Sequence, residues 1–506
     1  MKQNTLSNLL MMGFLLISVA ITSCTESDFL VDDHSRSLPF TDTEMALMSK
    51  MFTPHKVSRK EAYELALQTM NGNGGMPSKS SRRRSAVDAT GISCNPITIS
   101  NDSVVAAMNE LNFDLQDTIA YLFTDNVNGG FTIVSADYRV DEQILAYVDD
   151  GTIIEGDTLN EMASYIVDML CGYYLDQLIE YKAMKDSLEN DVYNKLEALE
   201  LGGEMQTGED EEGFENPMPT PSITFLGVTS RPLTDWTYSN VVEPLVPVTW
   251  GQDEPYNDSV CVYSPSGVKL KNYPSGCVAT AVAQLMAFWQ YPSVVGNMTM
   301  DWEAITSTPG ISSYETTSRR SQVAYLLKVI GKGIGTSYGV NSSGAKTSNA
   351  RDWMKRHGYK GGGKYDFDYN RVKSSLLNGW PVLARGNRNF HGFKIFGYHI
   401  GKYSGGHSWI VDGCKERTRL MEVTISYIYK GQTVTHVRTI PQSEKWLYCN
   451  WGWYGSSNGW LPAGSFNVPK VVQMTRTGDL ISVGTENYNF KYNKEIFVRL
   501  RPQHIQ

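Results

Sequence analysis

Apolar residues occupy nearly every position from Val278 to Trp289, which predicts a helix buried on all its faces. A tight Pro274-Ser275-Gly276 turn delivers Cys277 to its first turn, and the helix runs to about Gln290. Tyr291-Pro292 ends it, because proline lacks an amide hydrogen and pushes its predecessor out of helical geometry. Upstream, Ser58 and Glu61 have capping-box spacing, and Ala62, Leu65, Ala66 and Met70 form one face of a short helix that Asn71-Gly72 stops. Residues 118–123, 131–135 and 144–148 read as strands, the first two joined through Asn128-Gly129-Gly130 as a hairpin. Residues 158–201 read as helical, in two pieces around Gly172.

The pattern changes beyond Pro244, where Gly-, Trp- and Tyr-rich strands and turns take over. Helices are expected near residues 321–331 and 349–357, with a loop at 338–344 between them. Strands are expected at 381–384, 407–411, 420–429, 434–440, 446–449 and 495–500. A helical part followed by an antiparallel sheet predicts a two-lobed α+β domain. Between the halves, the acidic stretch 203–215 and the prolines at 217, 219 and 221 read as a linker. The expected division is therefore 1–23 as an export signal, 24–45 as a tether, 46–202 as a first α+β domain, 203–243 as linker and 244–506 as the second domain.

Composition narrows the function. The 506 residues are too many for one ordinary core. Lys and Arg number 45 against 54 Asp and Glu, a net charge of −9 without a dense basic stripe, which argues against nucleic acid as a partner. Hydrophobic content of 41% is that of a globular chain. Lys2 followed by the apolar run 9–21 reads as an export signal too short to span a membrane. Ile21-Thr22-Ser23-Cys24 resembles a bacterial lipobox, which implies that Cys24 becomes the lipidated first residue of an exported, outer-membrane or cell-surface protein. A plain secretory signal is the alternative. Arg82-Arg83-Arg84 reads as a solvated loop, with a processing site as the sharper reading.

Seven cysteines are present and none forms a C-x-x-C pair, so a zinc ribbon or redox pair is unsupported. Cys414 and Cys449 read as buried thiols, with a disulfide as the alternative. His399 and His407 do not make a metal pair, because no carboxylate cluster stands nearby. No cofactor is expected.

Cys277 is the residue on which chemistry converges. A helix N-terminus offers unpaired N–H groups and the positive end of the macrodipole, which favours thiolate over thiol. His407, in Gly405-Gly406-His407-Ser408-Trp409, is the best base among eight histidines and stands 130 residues after Cys277, a separation typical of papain-type cysteine proteases. Asn450 follows a strand and precedes Trp451-Gly452-Trp453. An asparagine carbonyl can fix the imidazole tautomer without adding charge, with Trp451 excluding water from that bond. Gln252, 25 residues before Cys277, can donate its amide to an oxyanion beside the Cys277 N–H. Asp412 lies too close along the same strand to orient His407 and reads as a turn residue before Gly413.

These motifs resemble the streptopain family of bacterial cysteine proteases. The matching residues are Ser275-Gly-Cys-Val-Ala-Thr-Ala281, Gly406-His407, Val411-Asp-Gly413 and Asn450-Trp-Gly-Trp453, with Tyr338-Gly339 and Ser342-Ser343-Gly344 beside the cleft. Ser58-Arg-Lys-Glu-Ala-Tyr63, Gly130-Phe-Thr-Ile-Val-Ser-Ala136 and Ile144-Leu-Ala-Tyr147 resemble that family's propeptide. The resemblance implies an α+β, papain-like two-lobed protease domain behind a separate α+β propeptide that acts as an intramolecular inhibitor. It implies Cys277 as nucleophile, His407 as base, Gln252 as oxyanion donor and Asn450 with Trp451 as support. It also implies protein or peptide substrates and a bulky apolar residue two positions before the cut. Residues 420–440 depart from the pattern as an extra hairpin, which can reshape the cleft. Two other functions fit the residues: a Cys-His amidase or acyl transferase on cell-wall peptides, and a non-catalytic surface binding protein.

Overall fold

The computed structural model describes residues 38–71, 91–98, 115–149, 154–155, 158–159, 161–200, 223–263, 269–312, 314–315, 317–395, 398–455, 457–466 and 492–505. The export signal with Cys24, the Arg82-Arg83-Arg84 triplet and the acidic stretch 203–215 lie outside them. Among the described residues no helix is long and apolar enough to cross a membrane.

The N-terminal unit opens with helices α1 (Asp42–Phe52) and α2 (Arg59–Met70). Each carries a reciprocal capping box, Thr41 with Glu44 and Ser58 with Glu61. Only the second pattern stands out in the sequence, and α1 begins inside the stretch expected to be a tether. Four strands follow, β1 (Ile92–Ile97), β2 (Ala120–Asp125), β3 (Phe131–Ser135) and β4 (Ile144–Val148), paired antiparallel in that order. Gly130 takes a positive φ between β2 and β3, where a Cβ would stand 2.5 Å from the Val148 carbonyl oxygen. Helix α3 (Glu161–Glu200) is one piece of 40 residues and not two. A single glycine costs a helix only about 1 kcal/mol, and burial of Tyr173, Tyr174 and Leu175 beside Gly172 offsets it.

The segment expected to be a linker ends in two strands, β5 (Thr224–Pro232) and β6 (Thr237–Val242). The second unit then supplies helices α4 (Cys277–Trp289), α5 (Ser318–Gly333), α6 (Thr347–Arg356) and α7 (Tyr369–Leu377). Its strands in the main sheet are β7 (Gly363–Asp366), β8 (Val382–Ile395), β9 (Tyr398–Tyr429), β10 (Gln432–Asn450), β11 (Gly459–Pro462) and β12 (Tyr492–Val498). Residues 420–440 pair as the expected hairpin, turning at Lys430-Gly431, but it is continuous with the strands on either side. They are the far end of β9 and β10, which stay in register from Cys414 opposite Leu447 to Tyr429 opposite Gln432.

All twelve strands join one sheet of order β1-β2-β3-β4-β11-β10-β9-β8-β12-β7, with β5 and β6 paired to β9. The two units meet where Tyr147 of β4 pairs with Trp460 of β11, and the Trp446 indole N–H donates to the Ile144 carbonyl at 3.0 Å. Side chains alternate across the strands of the second unit. Leu383, Ile410 and Phe497 face the core built on α4, α5 and α6. Val382, Trp409, Val411 and Ile496 face the opposite core, which α7 and α3 cover. The architecture is α+β, with the N-terminal unit ahead of a helical lobe and a sheet lobe, as the sequence predicts.

Candidate active site

Every side chain of α4 from Cys277 to Ala287 is buried, as its unbroken apolar pattern requires. Gly276 caps it with φ +90°, and a Cβ there would stand 2.9 Å from the Ser343 carbonyl oxygen. Glycine is therefore demanded twice at this position, by conformation and by space. The segment before Gln252 is bound to the helix at three points. Ser275 donates its N–H and its hydroxyl to the Gln252 carbonyl at 2.8 and 2.9 Å. The Thr280 hydroxyl reaches the Gly251 carbonyl at 3.3 Å, and the Gln284 amide oxygen accepts the Trp250 N–H at 3.0 Å. Gln252 is thus held beside the tip of α4 with its side chain half-buried.

His407 lies within β9, opposite Gly386 of β8, and not at the mouth of a strand. Cys277 packs in one cluster with Leu383 of β8 and Ile410 of β9, and the hydroxyl of Ser408, the residue after His407, is bonded to Thr347 of α6 at 2.8 Å. The helix tip and the histidine strand are thereby in contact. His407 Nε2 pairs with the Trp451 carbonyl oxygen at 2.9 Å. A carbonyl only accepts, so Nε2 carries the proton and Nδ1 keeps the lone pair. Around the ring stand Trp409, Trp451 and Trp453, with centroids 6.2, 6.2 and 6.1 Å away.

Asn450 sits differently from the sequence expectation. Its Nδ2 donates to the Val248 carbonyl at 2.8 Å and its Oδ1 accepts the Gly452 N–H at 3.3 Å. The acceptor for Nε2 is the main-chain oxygen of the next residue, and Asn450 secures the turn that presents it. Trp451 is buried and packs against Trp409, with ring centroids 5.0 Å apart.

Burial dominates the electrostatics of both candidate groups. It pushes the Cys277 thiol up, against the pull of the Ser408, Val278 and Cys277 backbone N–H groups. It pushes His407 down to about 4, against the bond to Trp451. The helix N-terminus alone predicts a thiolate; in the full chain desolvation outweighs it, and thiol and imidazole are both neutral at pH 7.

Residues 250–461 match the family model described as the Peptidase C10 family. Residues 54–170 match the model described as the Spi protease inhibitor. The chain carries a C10 cysteine-peptidase domain behind an inhibitory pro-domain. It is a zymogen, and Gln252, Cys277, His407, Asn450 and Trp451 all fall within the C10 match. Among solved structures, a prointerpain A fragment from Prevotella intermedia aligns at 18% identity over 76% of this chain and 97% of its own, with a TM-score of 0.39. Active wild-type interpain A cysteine protease from the same organism aligns at 19% identity over 51% of this chain and 94% of its own, with a TM-score of 0.32. No curated protein matches.

Two supports of the C10 site are not visible as motifs. The buried Asn458 accepts the Trp451 N–H at 2.9 Å and so fixes the peptide whose carbonyl holds His407. Asp412 is no simple turn residue: it stands at the register shift between Val411 and Gly413, and its carboxylate accepts the Val246 N–H at 2.8 Å. Asn458 lies in a Gly- and Ser-rich stretch that reads as loop, which hides it. Among the described residues the six cysteines 94, 171, 261, 277, 414 and 449 are free thiols, and no His/Cys/Asp/Glu group could hold a metal ion.

Proposed function

We propose that the C10 domain is an endopeptidase in which Cys277 is the nucleophile, His407 the general base, Gln252 the oxyanion donor, and Asn450 with Trp451 the support of the base. The observation that carries this reading is the packing of α4, with Cys277 at its tip, against β9, the strand that carries His407. Once His407 takes the thiol proton on Nδ1, the sulfur adds to a peptide carbonyl. The oxyanion is met by the Cys277 N–H and the Gln252 amide. Collapse expels the amine, which takes the proton back from His407, and leaves an acyl-thioester. Water deprotonated by His407 then releases the acid and restores the thiol.

The same reading includes export, lipidation at Cys24, a bulky apolar residue two positions before the cut, and maturation by cleavage after residue 203. The decisive test is the fate of the chain. The parent is expected to be trimmed between residues 204 and 241, whereas Cys277→Ala stays full length. Equal trimming of both chains would remove Cys277 from the role. Labelling with radioactive palmitate that persists after Cys24→Ser would refute the anchor.

A further inference from the structure

Past Gly413, strands β9 and β10 leave the core of the C10 domain as an arm that turns at Lys430-Gly431. β5 and β6 lengthen this arm into a three-stranded sheet by pairing along β9 from Thr224 opposite Ile428 to Val242 opposite Cys414. One face of it is apolar: Val423, Ile425, Tyr427 and Ile440 are at most 3% exposed. That face is covered by Met45 and Met48 of α1 and by Leu188, Val192 and Leu196 of α3.

Polar contacts fix the fit. The Tyr427 hydroxyl donates to Glu200 at 2.5 Å, Arg438 pairs with Asp42 at 2.7 Å, and Ser49 donates to Ser230 at 2.6 Å. Val423 is sixteen residues beyond His407, about 50 Å along an extended strand. The arm therefore cannot be the contact that silences the cleft. Its two covering pieces, α1 and the part of α3 beyond residue 170, also lie outside the stretch that matches the inhibitor family.

We propose that the arm is a receptor for the pro-domain that outlasts cleavage. When the chain is cut between Glu200 and Thr224, β5 and β6 stay with the C10 domain as strands of the arm. The pro-domain then remains seated through α1 and the far half of α3. Activation consequently needs a second step, dissociation of the cut pro-domain. This rests on the maturation cut lying in that segment, but the docking itself does not depend on activity.

The test uses the full chain with Cys277→Ala and a site for a sequence-specific viral protease inserted after residue 210, so that no self-cleavage is needed. After cutting, the two fragments are expected to co-elute at micromolar concentration. Met48→Asp with Val192→Asp, which leaves the C10 domain unaltered, is expected to raise the dissociation constant by roughly 30-fold or more. Should that pro-domain unfold, Tyr427→Phe with Arg438→Ala removes the contacts to Glu200, Asp42 and the Phe40 carbonyl, together with the Tyr427–His436 bond inside the arm, and a several-fold weakening is expected. Fragments of the parent that separate at once, or dissociation constants unchanged by both variant pairs, would overturn the proposal and leave retention to the β4–β11 edge.

Discussion

His407 Nε2 stands 2.9 Å from the Trp451 carbonyl oxygen, and Trp451 donates its own N–H to Asn458 at the same distance. The imidazole is thus aimed by a peptide unit that is itself clamped at both ends. Asn458→Ala leaves the buried Trp451 N–H without its acceptor and frees that unit to rotate. Displacement of a catalytic group by about 1 Å costs on the order of 100-fold in rate. The expected result for processed Asn458→Ala is a comparable fall in kcat with little change in KM, and an altered acid limb of the pH–rate profile. A fall confined to thermal stability, with kcat and its pH profile intact, would reduce Asn458 to a packing residue.

The neutral thiol and imidazole have a chemical consequence. A thiolate is the species that alkylates, and its fraction falls tenfold for each unit by which the thiol pKa exceeds the pH. In the unprocessed chain Cys277 should therefore react slowly with iodoacetamide at pH 6. Removal of the pro-domain should raise that rate by roughly tenfold or more if exposure returns the helix terminus its influence. Mass spectrometry of the Cys277 peptide over pH 5–9 separates it from the other thiols. Identical profiles for both forms would show that the pro-domain does not set the state of the pair.

The catalytic half of the chain was the more legible half, for identifiable reasons. A helix apolar all round from Val278 to Ala287 has only one home, and Cys277 follows from the Gly276 turn. His407 and Trp451 stand in motifs whose spacing survives folding. β5 and β6 were hidden because their strand partners lie about 170–205 residues away along β9, and nearby prolines and acidic residues imitate a linker. The docking of α1 was hidden for the same reason, since its partners Val423 and Ile440 come from the far end of the chain. The imidazole is held by the main-chain carbonyl of Trp451 and not by the adjacent Asn450 side chain, a choice between neighbouring atoms that sequence does not encode.

Two buried groups give the zymogen opposed pH dependences. Glu142 sits between the units, bonded by the Tyr173 hydroxyl, with Asp141, Glu444 and Lys50 around it. Burial first, then Asp141, raises its carboxyl to about 8. A raised acid binds a proton in the folded state that the unfolded chain has already lost, so stability falls as pH rises from about 4.5 to 8. His407, pushed down to about 4, does the reverse: stability is lost as pH falls from 6.5 to 4. The two partly cancel between pH 4.5 and 6.5. In the Cys277→Ala background, Glu142→Gln should steepen the loss of Tm on acidification, and His407→Gln should lessen that loss between pH 6.5 and 4. Parallel Tm curves for all three proteins would sink both assignments.

Arg417 and Glu444 face each other across β9 and β10 at the root of the arm, with Nε 2.6 Å from Oε2. Both are buried, at 3% and 1% exposure. The guanidinium lies 4.3 Å from the Trp236 ring and 4.9 Å from the Trp446 ring. Burial holds the Glu444 carboxyl above its usual range despite Arg417, which shows how much desolvation the pair bears. Removing one partner strands the other charge without water, at a cost of about 3–5 kcal/mol, whereas replacing both with apolar groups of similar volume is close to neutral. In the Cys277→Ala chain, Glu444→Leu should therefore lower the urea midpoint strongly, and Arg417→Met added to it should restore most of the loss. Additive losses in the double variant would mean that the aromatic stacking of Arg417, and not its charge pairing, holds the root of the arm together.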